Sequence, residues 1–161
     1  MPKRYSKSEI DQFLRGRHVC VLGTIRSDGA PVLTPIWYLY RDGQILMRTN
    51  RDSVKARNIA QDARVSVCAQ NERPPYASVT VYGKALLEPP DDKLAAAIAR
   101  HYLGGVAGAA YLRTAQQAVE QGEEVTLVIT PERFLTQDFS PETPWFGKAW
   151  LVLKRFLPPS L

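Results

Sequence analysis

Two Asp-Gly pairs, Asp28-Gly29 and Asp42-Gly43, restrict the fold of this chain more than any other feature of its sequence. They separate short apolar runs at residues 19–25, 31–40 and 45–49, and glycine supplies the positive φ of a tight hairpin turn. Runs joined this closely pair antiparallel, because a parallel partner needs a crossover of about a dozen residues or more. Pro35 lies inside the second run and cannot donate to a ladder, so it marks a sheet edge or a break. The pattern resumes at 65–69 and 77–87, joined by the polar, proline-bearing segment 70–75. Within 77–87, Val79, Val81 and Ala85 alternate with Ser78, Thr80 and Tyr82. A run over 125–130 follows, and 132–138 extends it past Pro131. Six or seven short strands, mostly hairpin-connected, predict a mainly β protein: a small antiparallel barrel with peripheral helices.

Helix signals fall between these runs. Ser6 with Glu9 three residues on is a capping box, and Ile10, Phe13 and Leu14 share the face behind it. Pro89-Pro90-Asp91-Asp92 caps a helix that runs to Tyr102 and stops at Gly104-Gly105. A further helix is expected over 111–121, with Gly104 to Gly108 as a linker. No internal repeat or domain linker interrupts residues 1–143, which read as one domain. The tail, 144–161, is apolar, with Trp150, Leu153 and Phe156 on one helical face. Such a segment packs on its own domain or a partner subunit, or lies on a membrane surface.

Composition narrows the class. Hydrophobic residues are 45% and charged residues 23%, ordinary for a globular protein. The charge of 21 − 16 = +5 suits an anionic small molecule, nucleic acid or an anionic membrane without choosing among them. Cys20 and Cys68 sit in alternating apolar runs and read as buried, reduced thiols of a cytoplasmic protein. The N-terminus has no apolar signal core, and no run approaches the roughly 20 apolar residues of a membrane span.

The stretch 47–59 carries the strongest chemical signal. It passes from a strand into a helix that Asn50 or Asp52 can cap, and it places Thr49, Ser53, Arg48, Arg51, Lys55 and Arg57 near that start. Donors at the positive end of a helix make an anion site suited to phosphate, while a solvated basic helix has the same spacing. Spacing leaves both readings open. His18 and His101 have no neighbours at metal spacing, and no nucleophile elbow, Walker or Rossmann glycine pattern is present. Without an acid–base set, a bound cofactor would carry any chemistry.

Four blocks in order, Pro-Val-Leu-Thr-Pro-Ile-Trp-Tyr (31–38), Arg-Thr-Asn-Arg-Asp-Ser-Val-Lys-Ala-Arg-Asn-Ile (48–59), Ala-Arg-Val-Ser-Val (63–67) and Val-Thr-Val-Tyr-Gly-Lys-Ala (79–85), resemble the pyridoxamine 5′-phosphate oxidase-like split-barrel family. The resemblance spans roughly residues 8–139. It implies a six-stranded split barrel, a homodimer, and a flavin or deazaflavin bound across the subunit interface. It assigns Thr49, Asn50, Ser53 and Lys55 to the phosphate. Val32, Leu33, Thr34 and Pro35 fall on the strand whose backbone meets the isoalloxazine ring, and Tyr76 and Ser78 on the strand that closes the pocket. Val54 stands where the vitamin B6 oxidases carry a basic residue, and their C-terminal arginine motif is missing, so vitamin B6 oxidation is not expected. Lys55-Ala56-Arg57-Asn58-Ile59, with Arg48 and Arg51 nearby, is closer to the deazaflavin-dependent reductases, whose coenzyme F420 is a long polyanion. The implied function is hydride transfer to a conjugated small molecule, not nucleic-acid binding, with Trp37, Tyr38 and Tyr76 as an aromatic surround. The same fold with FMN, and a non-enzymatic flavin- or haem-binding carrier or sensor, are the alternatives.

Overall fold

The computed structural model describes residues 4–119 and 124–139, the side chains of 114–119 excepted. Its elements run α1 (Lys7–Leu14), β1 (Cys20–Ile25), β2 (Pro31–Ile36), β3 (Leu39–Arg41), β4 (Gln44–Asn50), α2 (Val54–Gln61), β5 (Arg64–Gln70), β6 (Ala77–Glu88), α3 (Asp92–Leu103), α4 (Gly105–Val119) and β7 (Glu124–Asp138). The strands form one antiparallel sheet in the order β2-β1-β5-β6-β7-β4-β3. The tail and the domain boundary expected at 143/144 lie outside the described residues, as does the end of the helix expected to reach 121.

Local chemistry explains the hairpins and caps. Asp42 (φ 53°) and Gly43 (φ 78°) both take positive φ, giving the two-residue turn whose twist suits the flanking strands. Ser6 and Glu9 complete the expected capping box of α1, and the Asp91 carboxylate accepts the Lys93 and Leu94 amides at the start of α3.

The run at 31–40 divides, and the described residues form seven strands, within the six or seven expected and one more than the resembled family's barrel. β2 lies at one edge of the sheet and β3 at the other, so Trp37 and Tyr38 carry the chain across and the sheet curls without closing. The crossing leaves the Tyr38 backbone outside any ladder. The Tyr102 hydroxyl takes over, accepting from the Tyr38 N–H at 3.2 Å and lying 3.2 Å from its carbonyl. At the other proline, 125–130 and 132–138 are one strand. Register moves from Tyr82↔Arg133 to Gly83↔Pro131, which leaves Glu132 as the extra residue of a bulge beside the proline.

Gly104 to Gly108 is not a linker. Gly104 caps α3 with φ 77°, and α4 begins at the next residue. A Cβ at Gly108 would stand 3.0 Å from the Ala99 carbonyl oxygen, so glycine here lets α4 pack closely on α3.

Two cores result. The barrel interior holds Leu22, Tyr38, Ile45, Met47, Val67, Val79, Val81, Leu127 and Ile129, covered at its ends by Ile10 and Leu14 of α1 and Ala56 and Ile59 of α2. Outside it, Leu46 and Val128 pack beneath Leu94 and Ile98 of α3. β4 is therefore buried on both faces, with alternate residues pointing to the barrel and to α3.

Candidate functional site

The start of α2 gathers polar groups at one corner. Its cap is Ser53, in place of Asn50 or Asp52: the Ser53 hydroxyl accepts the Ala56 N–H at 3.3 Å. The Thr49 and Ser53 hydroxyls lie 3.1 Å apart. Asn50 instead turns the chain, its side-chain oxygen accepting the Asp52 N–H at 2.7 Å. The Val54 and Lys55 amides belong to the first turn, which the helix's own ladder does not reach. Lys55 is half-buried here, and burial pushes its pKa down from 10.5. No carboxylate among the described residues pairs with it. A partly desolvated ammonium in the first turn of a helix with open amides and a hydroxyl pair at its cap is a place where an anion is favoured.

The other cations separate. Successive strand residues face opposite ways, so Arg48 and Thr49 cannot both point at this corner. Thr49 does, and Arg48 lies on the α3 side, ion-paired with Glu124, with 14% of its side chain exposed. There it lines a cavity of about 180 Å³ with Ile36, Trp37, Ala95, Ile98 and Tyr111. Arg57 is exposed and donates to the Asp52 carbonyl at 2.7 Å, across the α2 start. Asn58 is buried, its amide donating to the Thr24 hydroxyl at 3.0 Å. That bond docks α2 on β1 at Thr24, whose ladder partner is Val32 of the edge strand β2.

β2 presents Leu33 and Pro35 outward and turns Val32 and Thr34 partly inward. As an edge strand, it keeps part of its backbone donors and acceptors outside the ladder. The outward row Pro35, Val21, Cys68, Thr80, Leu135 runs across five strands, and Leu33, Gly23, Ser66, Tyr82 and Arg133 form the next. Leu33 is 68% exposed and Leu135 51%. Cys68 is half-exposed on this face, contrary to the expected burial, whereas Cys20 is buried and its thiol pKa is pushed up to about 12. Tyr76 is exposed at the start of β6 and Ser78 is half-buried two residues on. Tyr38, expected to surround the pocket, is buried in the barrel, because the chain crosses between edges at that residue.

A larger cavity, about 660 Å³, opens past the ends of β1, β2 and β5. Trp37 stacks on Tyr102 with centroids 4.8 Å apart and planes 4° apart. His18 stacks on Phe13 at 4.5 Å and 9°, and burial lowers its pKa from 6.5. The sequence carries Trp37 as a candidate but gives no signal for its partners. Tyr102 lies in the last turn of α3, and only tertiary packing brings it to the end of β2.

Among the described residues no group of three His, Cys, Asp or Glu could hold a metal ion. No described helix is long and apolar enough to cross a membrane.

A family model described as Pyridoxamine 5′-phosphate oxidase matches residues 6–138. No curated protein matches. Among solved structures, a conserved hypothetical protein from Mycobacterium tuberculosis is 26% identical with a TM-score of 0.71, covering 88% of this chain and 90% of that one. An F420 reductase is 20% identical, TM-score 0.63, covering 84% and 98%. An FAD-binding protein from Mesorhizobium loti is 19% identical, TM-score 0.59, covering 86% and 96%.

Proposed function

The chain belongs to the pyridoxamine 5′-phosphate oxidase family, and on that premise we propose that it is an oxidoreductase that binds reduced coenzyme F420 and serves hydride transfer to a conjugated small molecule. The carrying observation is Lys55, half-buried and without a carboxylate partner among the described residues, in the first turn of the helix that the hydroxyl-paired Ser53 caps. A phosphate-bearing coenzyme fits that donor set. Two solved structures of the same fold are an F420 reductase and an FAD-binding protein, which supports this class of coenzyme.

Lys55, the two hydroxyls and the first-turn amides would hold the phosphate, with Arg57 and Asn50 at its rim. The outer edge of β2, Val32 to Pro35, would offer backbone groups to the ring, and Tyr76 and Ser78 would border it. Asn58 acts through Thr24 by fixing α2 against β1. The coenzyme, when bound, supplies the hydride chemistry, and the chain supplies position and exclusion of water. FMN is the second reading, favoured by one observation: Arg48 is committed to Glu124, which removes one cation expected for a longer polyanion. Side-by-side titration decides. Tighter binding of F420 supports the first reading, and tighter FMN binding or FMN co-purifying at full occupancy overturns it.

The protein works as a homodimer in this reading, with the outward rows through Leu33 and Leu135 covered by a second copy. Exposed apolar side chains in adjacent rows support it. Sedimentation should give a dimer that Leu33→Asp dissociates. A monomeric parent that binds coenzyme refutes it. Two thiols without a disulfide suit a reducing, cytoplasmic setting.

A further inference from the structure

We propose that the 660 Å³ cavity past the end of β2 is a binding site for a planar conjugated carboxylate. It is a separate site from the α2 corner and does not depend on which coenzyme that corner takes. Its volume falls in the range of small-molecule sites, about 300–1,000 Å³.

Flat rings make the walls, and they are held in place. The Trp37 and Tyr102 rings lie 4.8 Å apart and nearly parallel. The Tyr102 hydroxyl donates to the His18 carbonyl at 2.5 Å and accepts from the Tyr38 N–H at 3.2 Å, which fixes its ring. His18 is clamped on Phe13. A planar guest therefore meets aromatic surface that needs no reordering, which favours binding.

The polar part of the lining is rich in donors. Arg17 and Arg73 are exposed, and neither has a carboxylate partner among the described residues. The Trp37 indole N–H also has no acceptor among them. Glu72 also lines the cavity, so two arginines outnumber one glutamate there. Guanidinium groups bind carboxylates through paired, charge-assisted hydrogen bonds, so the occupant is an anion with its charge at the mouth and its ring inside. The cavity starts at Trp37, directly after β2 ends at Ile36, so such a guest would lie beside the strand assigned to the coenzyme ring.

The test is calorimetric titration of the full chain, without coenzyme, using 2-naphthoate and the neutral 2-naphthalenemethanol. The acid should bind saturably, one per chain, at least about tenfold more tightly than the alcohol. Arg17→Gln and Arg73→Gln change exposed side chains and should each weaken it about tenfold. Trp37→Phe keeps a ring on Tyr102 but removes the N–H, and should weaken it several-fold. Lys55→Ala should leave 2-naphthoate binding unchanged, and Arg73→Gln should leave coenzyme binding unchanged, so this site and the coenzyme site fail independently. No saturable binding, equal affinity for acid and alcohol, or a loss confined to Lys55→Ala overturns the proposal.

Discussion

The Thr49 hydroxyl at the end of β4 lies 3.1 Å from the Ser53 hydroxyl that caps α2, so strand and helix are joined at the residues that also form the candidate anion corner. Ser53 therefore has a structural duty of its own. Ser53→Ala should lower stability by about 1 kcal/mol, a loss of a few degrees in Tm on the order of 2–4 °C. Thermal unfolding checks this, and a Tm equal to that of the parent would place the cap elsewhere.

Arg48 and Glu124 form a largely buried ion pair, with 14% and 22% of their side chains exposed. Glu124→Gln leaves a cation in an apolar setting and should cost about 1–3 kcal/mol, between the surface and buried regimes. Replacing both residues, Arg48→Met with Glu124→Leu, should cost less than Glu124→Gln alone. Because Arg48 faces α3, neither change should alter coenzyme affinity, which denaturant titration and ligand binding measured together will show.

The His18 imidazole has a folded pKa below its ordinary 6.5 because burial disfavours the charged ring. Between the folded value and 6.5 the unfolded chain binds more protons, so stability falls as pH drops through that window. Replacing the ring with another that can stack on Phe13, His18→Phe, should flatten the Tm profile as pH falls below 6.5. Carboxylate-driven losses at lower pH should stay as in the parent. An unchanged slope would show that the ring titrates freely.

Thiol labelling distinguishes the two cysteines. Burial and a pKa of about 12 protect Cys20, while Cys68 is half-exposed on the outer sheet face. In the proposed dimer a second copy covers the Cys68 face, so native protein should react slowly at both thiols, and Leu33→Asp should open Cys68 to fast labelling while Cys20 waits for unfolding. A fast thiol in the parent would mean that no second copy covers the Cys68 face.

Much of the fold was readable because short-range chemistry decided it. Asp42-Gly43, the Ser6–Glu9 box and Asp91 act within a few residues and formed as expected. Decisions made by distant partners were not readable. The pattern over 31–40 is the same on both sides of Trp37, and only the two sheet edges determine that the chain breaks there. The strand continues past Pro131 as expected, but the bulge that accommodates the proline was not readable, because it depends on Gly83 of another strand. Gly104 to Gly108 has the composition of a linker, and α4 exists there because Gly108 can approach Ala99. In the site, period-two alternation should have separated Arg48 from Thr49, and charge alone had grouped them. Lys55 and Ser53 were legible from the family motif, whereas Tyr102 is eighty-four residues from the His18 carbonyl it bonds.

Titration of Lys55→Ala with coenzyme F420 and with FMN tests the central claim most directly. One charge-assisted hydrogen bond contributes about 1.5–3 kcal/mol, so the Kd of the preferred coenzyme should rise roughly ten- to a hundredfold. The Tm of the coenzyme-free protein should stay within about 1 °C, since a partly exposed, unpaired lysine adds little to folding. If Lys55→Ala binds both coenzymes as tightly as the parent, the phosphate is held elsewhere and the α2 corner is a solvated helix start.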